Sequence, residues 1–189
     1  MSATPRFVCI GGTTRAGSST ERALRYAAVL LEEAGGTVDV FAGPDLILPM
    51  YSSEDRQRSP VAVRIVEALR AADGVILASP GYHGGFSGLI KNVLDYVEDM
   101  ADDPAPYLKD RAVGCIASAF GWQAIGTTLL ALRSVVHALG AWPTPTGVSM
   151  ISTGRLFDDH GRCINEDLDE QFRRLNAELF EFARRKHAS

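Results

Sequence analysis

The residues best suited to chemistry fall in three short loops rather than in a cluster of acids, bases or nucleophiles. The first loop reads Gly11-Gly12-Thr13-Thr14-Arg15-Ala16-Gly17-Ser18-Ser19-Thr20. Thr13, Ser18, Ser19 and Thr20, with Thr14 beside them, supply hydroxyl groups, and Arg15 supplies a fixed positive charge. A helix is expected to begin here, so its unpaired N–H groups and its dipole favour an anion at the same point. The stretch from Met1 to Thr20 contains no Asp or Glu, so nothing local repels a phosphate monoester, and Arg15 can balance its charge. The plainer reading is a glycine turn leading into a serine-capped helix. Neither the G-x-x-x-x-G-K-[ST] phosphate loop nor the G-x-G-x-x-G dinucleotide motif occurs.

The second loop is Ser79-Pro80-Gly81-Tyr82-His83-Gly84-Gly85-Phe86-Ser87-Gly88, running on through Lys91-Asn92 to Asp95-Tyr96. Glycines here let the backbone approach a flat ligand, and Pro80 fixes the entry to the turn. A ring system could take hydrogen bonds from backbone amides and stack on Tyr82. His83 could donate to a bound ring or acceptor; equally, it could only shape the turn. Lys91 and Asp95 stand four apart and read as an ion pair on a helix surface. The third loop, Ser118-Ala119-Phe120-Gly121-Trp122-Gln123, offers small residues that would border the same crevice. Trp122 is suited to stacking or, more commonly, to packing.

The elements that must position these loops follow from hydrophobic periodicity. Short β-rich runs are read at Phe7–Gly11, Thr37–Phe41, Gly74–Ser79, Ala112–Ser118 and Ala141–Ser149. Helical patterns are read at Ser18–Ala34, Val61–Ala71, Gly88–Tyr96, Ala124–Leu139 and Asn165–Lys186. Five strands alternating with five helices predict an α/β three-layer sandwich, a five-stranded parallel sheet with helices on both faces. At this length the flavodoxin-like strand order 2-1-3-4-5 fits best. All three loops then follow the carboxyl ends of strands, the edge at which open α/β sheets bind ligands.

Composition narrows the classes. A chain of 189 residues with 46% apolar and 22% charged residues is expected to make a single domain over 1–189. The net charge of −4 leaves no basic footprint for nucleic acid. No apolar run approaches membrane-spanning length, and Met1–Arg6 lacks the apolar stretch of a signal peptide. Cys9, Cys115 and Cys163 are odd in number and show no CxxC spacing. The four histidines pair with no cysteine or carboxylate at ligand spacing, so no metal site is expected. A cytoplasmic location is expected.

Taken together, the first two loops resemble the NAD(P)H-dependent FMN reductase family. Its G-S-x-R-x-x-S-x-N loop is matched by Gly12 through Thr20. Its P-E-Y-N-G-S-x-P-G-x-x-K-N-x-x-D-W segment is matched by Pro80 through Tyr96. Leu48-Pro49-Met50-Tyr51 is similar to the family's L-P-x-Y, and the likeness runs on through Leu132-Arg133 and Leu139-Gly140-Ala141. The resemblance implies that Thr13, Arg15, Ser18, Ser19 and Thr20 hold the FMN phosphate. Pro80, Gly81, Tyr82, His83 and Gly84 would border the isoalloxazine ring, and Ser118, Ala119, Phe120 and Gly121 would line it. It further implies NADPH or NADH as hydride donor and a small-molecule electron acceptor: free flavin, a quinone, an azo compound or oxygen. A flavin-dependent monooxygenase partner and a homodimer or homotetramer also follow from it, with the helix bearing Lys91 at the subunit interface. Gly81 departs from the family's glutamate, and His83 and Thr20 depart from its asparagines. Hydride transfer belongs to the cofactor, so no catalytic side chain is assigned. The irregular stretch 43–59 is a candidate for the nicotinamide entrance or a subunit contact.

Two rivals use the same residues. Cys9 and Arg15 satisfy C-x5-R, which is similar to low-molecular-weight protein tyrosine phosphatases, where a cysteine thiolate attacks phosphorus. Asp103-Pro104 would be the acid, although it falls before the fourth strand. Ala16 also stands where that family has Ser or Thr. A flavodoxin-type electron carrier is the second rival; it would hold FMN yet react slowly with NAD(P)H.

Overall fold

The computed structural model describes residues 4–188; the first three residues of the Met1–Arg6 stretch lie outside the described residues. In chain order the elements are β1 (Arg6–Gly11), α1 (Ser19–Glu33), β2 (Thr37–Ala42), α2 (Pro60–Ala71), β3 (Gly74–Tyr82) and β4 (Gly85–Phe86). Next come α3 (Gly88–Asp95), β5 (Ala112–Ala119), α4 (Trp122–Ala138), β6 (Trp142–Pro143), β7 (Val148–Ile151) and α5 (Glu166–Ala188). Short 3-10 turns follow β2 and α3, at Gly43–Leu46 and Tyr96–Met100.

β1, β3 and β5 are apolar almost without alternation because helices cover both of their faces. Phe7, Cys9, Ile76 and Ile116 face α1 and α5, and Phe172, Leu175 and Leu179 close that side. Val8, Ile10, Val75 and Leu77 face the opposite way, onto Ile65 and Leu69 of α2, Ile90 and Val93 of α3, and Leu132 and Val136 of α4. Each fully buried Leu, Ile or Phe contributes roughly 1.5–3 kcal/mol of burial free energy. The layers are therefore set by strand parity.

The sheet runs β2-β1-β3-β5, parallel throughout, with β6 and β7 both paired to β5. This is the expected 2-1-3-4-5 layout with two corrections. The fifth strand, expected as one run over Ala141–Ser149, is two pieces. Pro145 has no N–H to give to a ladder, and the chain bulges out there. The Thr144 hydroxyl donates to the Thr146 carbonyl at 2.7 Å. The Thr146 N–H and hydroxyl donate to the Glu178 carboxylate on α5 at 2.8 and 2.6 Å. The second correction is β4, a two-residue antiparallel addition to β3, where the sequence reads as loop.

Helix boundaries follow their caps. The Ser18 Oγ accepts from Glu21 N–H at 3.2 Å and starts α1; Asn165 Oδ1 accepts from Leu168 N–H at 2.9 Å and starts α5, as its sequence predicts. α4 begins at Trp122, two residues earlier than expected, with Gly121 at its cap. Among the described residues no helix is long and apolar enough to cross a membrane. No group of three metal-ligating side chains occurs among them either.

Candidate functional site

The first loop is a scaffold as much as a donor set. Thr13 Oγ1 accepts from Arg15 N–H at 3.1 Å, closing a local turn. Ser18 spends its hydroxyl oxygen on the helix cap, and the Arg22 N–H bonds to the Ser18 carbonyl at 2.9 Å. Thr20 Oγ1 meets Ser118 Oγ at 2.6 Å, both groups buried, which ties the first loop to the third across β3. The Arg15 guanidinium, the Ser19 hydroxyl and the Ser19 and Thr20 N–H groups have no partner among the described residues. Those are the groups an anion would meet.

One acidic residue qualifies the sequence reading. Glu21, the first residue past the acid-free stretch, is buried, and its carboxylate accepts from Gly17 N–H at 3.0 Å. Its other oxygen accepts from Arg25 Nε at 2.8 Å. This is a capping-box arrangement, Ser18-x-x-Glu21, whose acid reaches one residue further back than usual. The carboxylate braces the loop from beneath. Its S-x-x-E spacing was legible; its direction was not.

The second loop is a hairpin. Gly81 pairs with Phe86 and Tyr82 with Gly85, so His83 and Gly84 form the two-residue turn. Both have positive φ, 49° and 88°, as a type I′ turn requires. Asn-Gly suits such a turn; a histidine pays conformational strain there. His83 therefore shapes the turn. His83→Asn is expected to stabilise the protein by about 1 kcal/mol, raising the melting temperature by roughly 2–4 °C. An unchanged or lower melting temperature in a thermal unfolding scan removes the strain account.

Gly81 has a separate cause. A Cβ built there would lie 2.6 Å from Thr128 Oγ1 and 3.1 Å from the Ala124 carbonyl, so α4 packs where a side chain would begin. Thr128 in turn donates to the Gly85 carbonyl at 3.3 Å. A glutamate at 81 does not fit this packing. At the loop's base the buried Ser79 hydroxyl donates to the Pro80 carbonyl and accepts from Ser87 N–H, both at 2.9 Å.

The three loops enclose one cleft of about 280 Å³. Thr13, Arg15, Ser18, Ser19 and Thr20 line one end, Pro80, Gly81, Tyr82 and His83 a wall, and Ser118, Ala119 and Phe120 the other side. Gly84 and Gly121 do not line it; they sit at the hairpin tip and the α4 cap. Ser152 also lines it. It follows β7 at the same sheet edge, its N–H bonded to the Ala119 carbonyl at 2.9 Å, and lies beyond Ser149, where the sequence pattern ends the fifth strand. A cleft with one cationic, hydroxyl-rich end, no lining carboxylate and an open remainder bordered by Pro80, Gly81, Tyr82 and Phe120 fits a flavin mononucleotide in charge and shape.

The stretch 43–59 is anchored. Tyr51 N–H donates to Asn92 Oδ1 at 2.9 Å, and Asn92 Nδ2 and the Tyr96 hydroxyl both donate to the Pro49 carbonyl at 2.9 Å. The Leu48–Tyr51 and Lys91–Tyr96 segments thus hold each other. Arg58 adds a two-point bond to Asp99, at 2.7 and 2.8 Å, with its guanidinium over Tyr51. Lys91 and Asp95 form the expected ion pair.

Cys9 lies inside β1, fully buried against the α1 and α5 side of the core. Burial, with a smaller push from Glu32, raises its thiol far above the ordinary value. Asp103 is committed to Arg70 at 2.7 Å. A thiol enclosed in the core, out of reach of any substrate, is no nucleophile, so the phosphatase reading is overturned.

Fold and cleft together define a flavodoxin-like protein whose cleft has a cationic, hydroxyl-rich end. The chain belongs to the NADPH-dependent FMN reductase family, whose sequence profile matches residues 5–155. That membership makes it an oxidoreductase with a flavin and a nicotinamide nucleotide as its cofactors. An NADPH azoreductase of Bacillus sp. (strain OY1-2) is 39% identical over 93 residues, 49% of each chain; the match spans about half that relative's length. An NAD(P)H-dependent FMN reductase of Pseudomonas aeruginosa is 27% identical over 177 residues, 90% of each chain. Among solved structures, the flavoenzyme NAD(P)H:(acceptor) oxidoreductase of Paracoccus denitrificans shares the fold with a TM-score of 0.73 at 17% identity, over 97% of this chain and 99% of that one.

Proposed function

We propose that the chain is an NAD(P)H-dependent FMN reductase that seats FMN across the three loops and passes its electrons to a small-molecule acceptor. The observation that carries this reading is the convergence of the Arg15 end and the Pro80–His83 side in one cleft. FMN, when bound, supplies the two-electron chemistry, taking hydride from the nicotinamide. The protein binds, orients and leaves one ring face open. In this reading Arg15 and Ser19 meet the phosphate through guanidinium, hydroxyl and first-turn N–H groups. Thr13, Ser18 and Thr20 hold those donors in place. Pro80, Gly81, Tyr82, His83, Ser118, Ala119 and Phe120 border the ring, and Gly84 and Gly121 serve through the turn and the helix start.

The Bacillus relative's designation supports azo compounds among the acceptors; free flavin, quinones and oxygen, and transfer to a flavin-dependent monooxygenase, belong to the same reading. The whole of 1–189 is read as one FMN-binding domain, working in the cytoplasm with its cysteines free. A homodimer or homotetramer is part of the proposal. Phe120, 83% exposed at the cleft, and Trp122, 67% exposed beyond it, leave an apolar mouth suited to cover by a second subunit.

The test is an anaerobic titration of the FMN-supplemented protein with NADPH, followed by flavin absorbance. Rapid bleaching is expected. Bound FMN that stays oxidised makes the protein an electron carrier, and absence of FMN binding overturns the reading.

A further inference from the structure

A second recess of about 290 Å³ adjoins the cleft, and Arg15 and Ser19 border both. Its remaining wall brings Arg22 from α1 together with Arg155, Leu156 and Phe157 from the segment after β7. No carboxylate lines it. Three arginines thus line one hollow in a chain of net charge −4, and the Arg155 Nε donates to the Phe157 carbonyl at 3.3 Å on the same wall. Like charges gathered this way repel one another and stabilise nothing by themselves. Arg15 and Arg22 have no acidic partner among the described residues. Arg155 reaches Asp159 at 2.8 Å, but both groups are largely exposed and that pair is weak. Glu21, the nearest acid in sequence, has both oxygens occupied by Gly17 and Arg25.

We propose that this recess takes a second phosphate, the adenylyl phosphate of a flavin dinucleotide, so that the protein accepts FAD as well as FMN. The inference rests on the flavin reading of the cleft. A phosphate joined to the flavin's own phosphate by an anhydride bond must lie beside it, and the recess begins at the two residues, Arg15 and Ser19, that border both hollows. The 2′-phosphate of NADPH is separated from its nicotinamide by a whole pyrophosphate and has no reason to share those residues. Arg22 and Arg155 do not line the FMN cleft, so FMN leaves them unused. Guanidinium groups suit the oxygens of a diphosphate through paired N–H donors.

The experiment measures equilibrium affinities for FAD and FMN by flavin fluorescence, in the wild type and in Arg22→Gln/Arg155→Gln. The wild type is expected to bind FAD at least as tightly as FMN. The double variant is expected to lose about tenfold or more in FAD affinity while FMN changes less than about twofold. Arg22→Lys/Arg155→Lys, which keeps the charge, is expected to retain most FAD binding and shows that loss in the Gln pair is not misfolding. Poor FAD binding by the wild type, or equal effects on the two flavins, overturns the proposal. A rise in KM for NADPH but not NADH, with FAD affinity unchanged, reassigns the recess to the nicotinamide nucleotide and also overturns it. A wild type that binds neither flavin overturns the FMN reductase reading instead, and riboflavin binding without FMN preference overturns the phosphate assignment.

Discussion

Arg15→Ala weakens FMN binding by roughly ten- to a hundredfold. Among the described residues Arg15 is the one Arg or Lys that lines the cleft, and its guanidinium has no partner there. A hydrogen bond to a charged group contributes roughly 1.5–3 kcal/mol, and each 1.4 kcal/mol is about tenfold in affinity. The loss should shrink as salt rises, because the cleft end is open to screening. Riboflavin, which has the ring but no phosphate, supplies the control: its affinity should be the same in wild type and variant. Arg15→Lys should recover part of the loss, since a point charge replaces a planar fork. FMN affinity that is unchanged in Arg15→Ala, or a parallel loss for riboflavin, refutes the placement of the phosphate.

The second large effect lies beneath the loop. A Cβ on Gly11 would stand 2.5 Å from the Ala78 carbonyl oxygen and 2.6 Å from the Ala78 Cβ. Both neighbours belong to β3, paired with β1 in the middle of the sheet. Neither can turn aside as a flexible side chain would. Gly11→Ala must push the two central strands apart at their ligand-bearing ends, costing about 3 kcal/mol and lowering the melting temperature by roughly 6–12 °C. Adding Ala78→Gly should recover only part, because the carbonyl stays in place; the double-mutant cycle isolates that share. A melting temperature within a degree or so of wild type, measured by circular dichroism, means that β1 and β3 separate freely at this edge.

Much of this geometry is legible in the sequence because it depends on short-range rules. The apolar runs from Phe7, Gly74 and Ala112 could only be buried strands, and their carboxyl ends bring Thr13–Thr20, Pro80–His83 and Ser118–Phe120 to one edge. Ser18 and Asn165 are caps by type and position. What the sequence conceals is set by partners distant along the chain. Asn92 reads as one polar residue on a helix until its amide meets Pro49 and Tyr51. The break in the fifth strand needs Glu178, far along α5, to hold the bulge at Thr146. The hairpin at His83-Gly84 hides because only two residues pair on each side of the turn, too few to show an alternating pattern. The C-x5-R spacing misleads for the opposite reason: spacing ignores that Cys9 is inside a strand and faces the core.

The pairing of Thr20 with Ser118, and the late arrival of Ser152 at the cleft, bear on how the protein is made. The loop before α1 emerges from the ribosome ahead of β5, and the buried Thr20 hydroxyl has no partner until β5 has followed it. The lining is complete only when Ser152 has emerged as well. Flavin therefore cannot template the first stages of folding on the nascent chain, and its stabilisation reaches a chain whose sheet is already assembled.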